Sequence, residues 1–406
     1  MSKPPTEEVT SLLLFARFAE VKEPRRHAHK IVFPLELLLL IVFGAALSDM
    51  PGWQGAADFA RLKEGWLRKL CPWQAEGTPS ADTIERVMGI VDEQVFAECF
   101  SQWMRQVAAR RVPSSGAAGM QHIAVDGKSV QGARGARAPT VPMHLVHTYL
   151  VQERGLLLGL GPAEGAPGEA HTAQGLLQVL ELKQAVVTGD ANLLTRPLTD
   201  TIVERGGHYV LALKGNRGPA HAQVQQVLCV QGEGNMLQPG TASRLCSSGY
   251  EEPRELAHGR EQERRAWAFK VQLFPAVQRY LPHAHSVLAL QRERRPQDRT
   301  LGFKGSCEVH FYVSSLPPTQ AQALAGYVRA HWEIENLLHR QLDVVLHEDA
   351  STIGQGPGAH NLATVRRAAL TALRADTSFK ASMPRRVRQA AHDDAYRTHL
   401  LSQVIS

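Results

Sequence analysis

The chain has 406 residues, which is longer than one ordinary hydrophobic core organises, so the sequence predicts two or three domains. Hydrophobic residues make up 44% of the chain, a fraction that excludes wholesale disorder. The net charge of +6 permits nucleic-acid binding without showing it, and an ordinary basic enzyme stays an open alternative. Five scattered cysteines with no CxxC pair argue against a zinc site or a disulfide framework, and they predict a reducing cytoplasm.

The first 111 residues have the apolar periodicity of helices. Ser80 is a candidate N-cap for one helix, and the other predicted helices cover residues 12–18, 34–47, 53–70 and 93–110. The longest apolar run, at 37–47, is about half of the ~20 residues that span a bilayer, and the first residues are too polar for a signal peptide. We therefore expect a helical bundle and no membrane segment.

The flexible composition of residues 112–119, VPSSGAAG, predicts a linker. The pattern after it changes to alternating strands and helices. Strands are predicted at 122–125, 143–151, 156–160, 185–188, 209–213 and 309–314, a Gly/Pro loop at 161–168, and helices at 172–182, 193–205 and about 320–347. Residues 218–308 are polar, Arg-rich and strand-like. The order of the other elements is that of an RNase H-like nuclease core.

Two aspartates follow predicted strands of this core. Asp126 is expected at the end of the first strand, in VDGKS, and Asp190 at the end of the fourth, in VVTGDAN. Carboxylate oxygens are ligands that Mg²⁺ prefers, and two such ions can clamp the oxygens of a phosphodiester displacement. Asp-Gly also forms ordinary turns, so a structural role for either residue stays open at this point.

The predicted C-terminal helix offers a third acid in HWEIENLLH. Glu335 shares a face with His331 and His339, four residues before and after it, and both histidines are candidates for assisting proton transfer. Glu333 points nearly the opposite way, because two residues turn an α-helix by about 200°. Glu335 is therefore the expected third ligand, with surface histidines as the alternative for its neighbours.

The chain resembles the ISAs-type insertion-sequence DDE transposases, the group that includes the H-repeat-associated proteins of Rhs elements. The similarity covers nearly the whole chain, including a helical stretch, FPLELLLLIVFGAAL (33–47). The similar core stretches are VDGKSVQGA (125–133), HLVHTYLVQERGLLLG (144–159), GGHYVLALKGNRG (206–218), HGREQERRAW (258–267), YVSSL (312–316), HWEIENLLHRQLDV (331–344) and HEDAS (347–351).

The resemblance implies an α/β protein, with an RNase H-like catalytic core that carries a mainly β insertion and follows an all-α N-terminal domain. It implies that Asp126, Asp190 and Glu335 bind two Mg²⁺ ions, or Mn²⁺ in their place, and that the protein acts as a homodimer. The expected boundaries are 1–111 for the helical domain, 112–119 for the linker, 120–217 and 309–358 for the core, 218–308 for the insertion and 359–406 for a basic tail of net charge +5.

The function implied is DNA transposition, which is the cleavage of element ends and the joining of a 3′-OH to target DNA. The expected partners are the terminal inverted repeats and target DNA, and the expected location is the cytoplasm, at the nucleoid. Two alternatives stay open: a catalytically inactive DNA-binding protein derived from a transposase, and an RNase H-like nuclease that does not join DNA.

Basic and aromatic residues near these motifs are candidates for DNA contact. They are Lys128, Lys214, Arg260, Arg264, Arg265, Trp267, His339 and Arg340. For the lysines the alternative is a solvated turn. For the cluster at 260–267 the alternative is a solvated sheet face with one core tryptophan.

Overall fold

The computed structural model describes residues 17–18, 20–111, 120–131, 142–151, 155–229, 237, 239–257, 260–296, 306–354 and 356–402. The predicted linker at 112–119 and most of the predicted helix at 12–18 lie outside these residues. The chain forms two compact units. Unit 1 comprises residues 1–118, 127–164 and 333–406, and unit 2 comprises 119–126 and 165–332.

The helices and strands are numbered in chain order. The helices are α1 (Leu35–Leu47), α2 (Gly52–Leu62), α3 (Glu64–Leu70), α4 (Ala81–Met88), α5 (Glu93–Arg111), α6 (Gly165–Gln178), α7 (Arg196–Glu204), α8 (Gly218–Val227), α9 (Pro239–Leu245), α10 (Pro275–Tyr280), α11 (Ala321–His331), α12 (Arg340–Val344), α13 (Pro357–Ala375), α14 (Met383–His392) and α15 (Asp394–Ser402). The strands are β1 (Gln121–Val130), β2 (Met143–Leu150), β3 (Leu156–Ala163), β4 (Ala185–Gly189), β5 (His208–Leu213), β6 (Ser248–Glu251), β7 (Glu255–Ala257), β8 (Arg260–Lys270), β9 (Ser286–Pro296) and β10 (Ser306–Ser314).

The N-terminal helices of unit 1 follow the predicted pattern. Helix α1 is apolar on all sides and is buried almost throughout, as expected for a central core helix. The Ser80 hydroxyl caps α4 by accepting a hydrogen bond of 3.3 Å from the Thr83 amide, which confirms the predicted cap. The helix predicted over 53–70 divides into α2 and α3 at Lys63. No single helix in the described part of the chain is long and apolar enough to cross a membrane.

The residues predicted as a basic tail form α13, α14 and α15 between Pro357 and Ser402, and these helices belong to unit 1. Helix α13 is buried along most of its length, including three of its arginines. The guanidinium of Arg397 in α15 lies 4.6 Å from the ring centre of Trp66, and its exposed fraction is 0%. Several arginines of this segment are therefore buried inside unit 1, and their charges are not presented at the surface.

Unit 1 also contains strand β2, which lies between β3 and β1 and is antiparallel to β3. Only the second half of β1, from Gly127, belongs to this unit. The strand predicted at 156–160 continues to Ala163, and α6 begins at Gly165, where a Gly/Pro loop was predicted. That loop prediction is wrong because glycine and proline are tolerated in the first turn of a helix.

Unit 2 is built on a mixed sheet with the strand order β1-β4-β5-β10-β9-β8-β6, and β7 pairs with β8. Strands β1, β4 and β5 are parallel, and the strands from β10 onward are antiparallel to their neighbours. Strands β8 and β9 of the predicted insertion extend this sheet, and α8, α9 and α10 lie in the same stretch of chain. The insertion is thus mixed in secondary structure.

The long helix predicted at about 320–347 is interrupted. Helix α11 ends at His331, a π-helical segment covers Ile334–His339, and α12 follows. The amide of Arg340 bonds to the carbonyl of Glu335, five residues earlier, which is the π-helical pattern. A buried guanidinium, that of Arg374, donates to the carbonyl of Leu337 within this segment. The apolar spacing used for the prediction cannot detect a change of hydrogen-bond period in so short a stretch.

Candidate active site

Asp126 lies in β1, and Asp190 directly follows the neighbouring strand β4. Strands β1 and β4 are parallel, and the last pair in their register is Ala124 with Thr188. Continued two residues beyond this pair, the same register would set Asp126 opposite Asp190. Neighbouring strands lie roughly 4.8 Å apart, so two carboxylates at one level can share a cation. Asp126 lies within β1, which continues to Val130, so the prediction that it ends the strand is wrong.

The close approach of β4 to β1 requires a glycine immediately before Asp190. A Cβ atom on Gly189 would lie 3.3 Å from the carbonyl oxygen of Val125 and 2.5 Å from a methyl carbon of Leu193. Both distances are shorter than ordinary van der Waals contact. Gly189 therefore lets the two aspartate-bearing segments pack together.

The Asp190 carboxylate has two polar partners in unit 2. Its Oδ1 accepts a hydrogen bond of 2.6 Å from the Asn192 amide, and its Oδ2 lies 3.5 Å from the ammonium of Lys214. The first contact is an Asx turn, which fixes the carboxylate relative to its own loop. The Asp190 side chain stays 40% exposed, and Lys214 is 59% exposed. An incoming cation or phosphate can therefore reach both groups.

The loop after Asp190 is held by side chains from two neighbouring elements. The Asn192 side-chain amide donates to the carboxylate of Glu169, a buried residue of α6, over 3.2 Å. Asn216 and Arg217, just after β5, donate to backbone carbonyls of Ala191 and Asn192. The packing of unit 2 therefore holds the loop that follows Asp190 in place.

Two histidines of unit 2 meet on one threonine hydroxyl next to this loop. The Oγ1 of Thr188 lies 2.7 Å from Nε2 of His122 and 2.9 Å from Nδ1 of His331. Burial, together with the neighbouring His331, lowers the pKa of His122 to about 3. Burial also lowers the pKa of His331 to about 4, although the charge of Asp190 acts in the other direction. Both rings are therefore neutral at pH 7.

Glu335 belongs to unit 1 and lies in the π-helical segment, where its side chain is exposed. Glu333 is half-buried, and this burial raises the pKa of its carboxyl although the charge of Arg374 opposes the shift. Of the two glutamates, Glu335 is thus the more accessible to a metal ion. Its assignment as the third ligand stays a prediction.

Lys128 is buried and ion-paired within unit 1. Its ammonium lies 2.9 Å from the carboxylate of Asp343 and 3.7 Å from that of Asp349. Burial raises the pKa of Asp343, and the charge of Lys128 opposes this effect. The predicted contact of Lys128 with a phosphate would require it to leave these carboxylates, so the structure favours a structural role.

The other residues predicted to contact DNA have varied surroundings. Arg264 pairs with Glu252 and Glu255, and Arg265 pairs with Glu251 and Glu263, all on the sheet of unit 2. Trp267 is buried, and Arg260 lies on β8 with a side chain outside the described part. In unit 1 the ring of His339 lies 5.4 Å from that of His147, and Arg340 is exposed. Their contacts with DNA stay predictions.

The donor chemistry of the predicted acids fits hard divalent cations, because Asp126, Asp190 and Glu335 supply only carboxylate oxygens. Within the described residues of each unit, no three histidine, cysteine or acidic side chains form a ready-made metal cluster. The expectation of a divalent cation therefore rests on the carboxylate chemistry of the three acids and on the neighbouring positions of the two aspartate-bearing segments in the sheet.

The sequence analysis did not single out Glu169, Asn192, His122 or Thr188. The last two are on neighbouring strands, two positions apart in the register, which pairs His122 with Val186 and Thr188 with Ala124. Glu169 falls between the predicted loop at 161–168 and the predicted helix at 172–182, so no argument from spacing could bring it to Asn192. These contacts arise from the tertiary arrangement of unit 2.

Comparison with known proteins gives the class of this domain. The family described as "Transposase DDE domain" matches residues 117–371, and the chain belongs to this family. A second family, described as "DDE_Tnp_1-associated", matches residues 15–104, which are the N-terminal helices. The mixed sheet of unit 2 is thus part of an RNase H-like core, and the protein is an insertion-sequence transposase by family.

Individual relatives agree with this family. "Putative protein YbfL" of Escherichia coli is 27% identical over 93% of this chain and 94% of its own length. "H repeat-associated putative transposase YhhI" of the same species is also 27% identical, with the same coverage. An "Uncharacterized protein in dhlA 3'region" of Xanthobacter autotrophicus is 31% identical over 62% of this chain and 78% of its own length.

Proposed function

We propose that this protein is an active DNA transposase that cleaves the ends of its element and joins them to target DNA. The observation that carries the proposal is that Asp126 lies in β1 and Asp190 directly follows β4, its parallel neighbour in the sheet, in a chain of the DDE family. Phosphodiester displacement needs charge stabilisation at both the attacking and the leaving oxygen. Two carboxylates at one level are suited to that task.

Asp126, Asp190 and Glu335 would hold two Mg²⁺ ions, or Mn²⁺ in their place. The bound ions would activate the nucleophile and stabilise the leaving oxygen. The Asx turn at Asn192 keeps one carboxylate oriented before any cation binds. Lys214 offsets part of the negative charge of Asp190 and is exposed enough to turn toward a phosphate. The partners proposed are the terminal inverted repeats, target DNA and a second copy of the chain, at the bacterial nucleoid.

The test is DNA cleavage and strand transfer with a duplex taken from the flanks of the gene, in Mg²⁺, Mn²⁺ or Ca²⁺. Asp126→Ala, Asp190→Ala and Glu335→Gln should each abolish both reactions, and double variants should lose no more, because the acids act as a unit. Ca²⁺ should support little reaction, since it favours more ligands at longer distances. DNA binding should survive, because removing a carboxylate near phosphates lowers repulsion.

Glu333→Gln is the matched control, because Glu333 lies two positions from Glu335 and is half-buried. It should keep most of the activity. A dead Glu333→Gln with an active Glu335→Gln would show that the third ligand is assigned wrongly. A wild-type protein that binds the duplex and never cleaves it would be a DNA-binding protein only. Cleavage without joining of pre-cleaved ends would define a nuclease.

A further inference from the structure

The exit of the π-helical segment has one backbone carbonyl more than it has helical donors. The last π-type bond joins the Arg340 amide to the Glu335 carbonyl, and the first bond of α12 is accepted by the carbonyl of His339. Between these two bonds lie three carbonyls, at 336–338, and two amides, at 341 and 342. One carbonyl is therefore in surplus, and it costs free energy wherever water cannot reach it.

Arg374, a buried residue of α13, supplies a donor to one of these carbonyls. Its Nη2 donates to the carbonyl of Leu337, two residues after Glu335. Its Nη1 donates to the hydroxyl of Tyr149 over 3.1 Å and to the carbonyl of Gly155 over 3.4 Å. Arg374 therefore links the π-helical segment to strand β2 and to the residue that precedes β3.

Close packing fixes the other end of this link. The Tyr149 side chain is fully buried. Gly155 has a φ of +72°, and a Cβ atom at this position would lie 1.6 Å from the hydroxyl oxygen of Tyr149. Only glycine leaves room for the hydroxyl here, and only glycine adopts this φ without strain. The Arg374 guanidinium is thus held on the side away from Leu337.

We propose that Arg374 holds the π-helical segment in place and thereby positions Glu335, the third acid of the proposed metal site. The inference rests on the proposed function, because it takes Glu335 as a metal ligand. π-Helical segments within α-helices are frequent at functional sites. Arg374 is a positioning residue, because it acts through the backbone of the segment. A guanidinium suits this role, since its rigid fork of donors binds a carbonyl and a hydroxyl at the same time.

The first test is amide hydrogen exchange, followed by mass spectrometry, on the full chain without metal or DNA. Arg374→Gln should speed exchange over residues 334–342 by on the order of 10- to 100-fold, because hydrogen bonds from a charged group are lost. Arg374→Lys should also speed it, since a single ammonium lacks the fork that spans both acceptors. Unchanged exchange over 334–342 in Arg374→Gln would overturn the inference.

Arg386→Gln is the matched control, because Arg386 is a similarly buried arginine of unit 1 that also donates to backbone carbonyls. Its acceptors are the carbonyls of Leu373, Asp376 and Ala381, which all lie outside the π-helical segment. Exchange over 334–342 should stay as in the wild type. An equal acceleration in Arg386→Gln and Arg374→Gln would mean a general loosening of unit 1, and it would count against the positioning role.

The second test is the binding of Mn²⁺ alone, measured by electron paramagnetic resonance of the free ion. Arg374→Gln should weaken it by ~10- to 100-fold, the usual effect of losing a residue that orients a metal ligand. Added to Glu335→Gln, it should cause no further loss, because both changes act on one ligand. Arg386→Gln should bind Mn²⁺ as the wild type does. Wild-type affinity in Arg374→Gln would overturn the inference.

The two proposals fail separately. If the wild-type protein cleaves DNA, and Arg374→Gln binds Mn²⁺ and cleaves equally well, the role of Arg374 is wrong and transposition stands. If exchange and Mn²⁺ binding change as expected and the wild-type protein cleaves no DNA, the proposed function is wrong and the positioning role stands.

If Arg374→Gln does not fold, Tyr149→Phe decides the question. It removes one acceptor of Arg374 and keeps the buried ring. Exchange over 334–342 should then be faster by on the order of 2- to 10-fold, the effect of one ordinary hydrogen bond. Wild-type exchange in Tyr149→Phe would overturn the inference.

Discussion

The Glu348 carboxylate and the Arg367 guanidinium form a buried ion pair in unit 1. The carboxylate is fully buried and faces the guanidinium of Arg367, with oxygen–nitrogen distances of 2.5 and 3.1 Å. Arg367 also donates to Nε2 of His147 over 2.7 Å and to the carbonyl of Ala363. The Arg367 side chain has an exposed fraction of 0%. Water cannot replace either partner of this pair.

Glu348→Gln should therefore lower the free energy of unfolding by about 3–5 kcal/mol, the range for removing one partner of a buried pair. The variant would leave the positive charge of the guanidinium in the interior without a carboxylate partner, because arginine side chains do not lose their proton in proteins. This loss is a large share of the ~5–15 kcal/mol that stabilises an ordinary domain. Glu348→Gln with Arg367→Met should recover part of the loss, since the uncompensated charge is then absent.

Urea denaturation followed by circular dichroism measures these losses. Glu98→Gln is the matched control, because Glu98 pairs with Arg105 over 2.8 Å and is 49% exposed. It should cost less than about 1 kcal/mol. Equal losses for the two variants would refute the argument from burial.

The pair also predicts a pH dependence of stability. Burial alone would raise the pKa of Glu348, but the charge and hydrogen bonds of Arg367 outweigh it and hold the pKa below its ordinary value. A lowered folded-state pKa contributes stability that is fully present above the unfolded value of about 4.3. The contribution should be lost as the pH falls through the folded-state pKa. Stability measured from pH 7 to pH 3 should therefore fall more steeply for the wild-type protein than for Glu348→Gln.

Three further predictions follow from local contacts. Gly189→Ala should destabilise unit 2 by about 1–3 kcal/mol and slow cleavage, because its methyl group would press on the carbonyl of Val125; a thermal unfolding midpoint equal to wild type would contradict this. Arg385→Gln with Arg388→Gln removes two exposed charges of α14 and should reduce the slope of log affinity for DNA against log salt by ~1–2, and an unchanged slope would mean that this helix does not contact phosphates. Ser80→Ala should cost about 1 kcal/mol in urea denaturation through loss of the α4 cap, whereas Ser80→Asp should cost little.

The sequence predicted the elements whose signals are local. The apolar run of α1, the cap at Ser80 and the buried strand β4 are determined by neighbouring residues, and all three are present. The sequence also predicted that Asp190 follows a short buried strand. Hydrophobic pattern and turn chemistry were sufficient in these cases.

The remaining features depend on residues far apart in the chain. The Thr188 hydroxyl meets His331 across 143 positions, and the buried arginines of α13 look like surface charge until the core around them is known. Charge counting therefore overestimated the positive charge available to DNA in the C-terminal segment. The extent of β1 was underestimated because Gly127 and Lys128 resemble a turn.

The π-helical segment at Glu335 contains one residue more than an α-helical turn would need at that point. A π-turn is closed by a bond across five residues, whereas an α-turn is closed across four. Deleting Asn336 would thus return the segment to α-helical period while Arg340 and the residues after it kept their phase relative to Ile334. A one-residue deletion, which elsewhere in a helix turns every later side chain by about 100°, would here be absorbed locally. The placement of this acid can therefore vary by insertion or deletion of a single codon while the packing of α12 is retained.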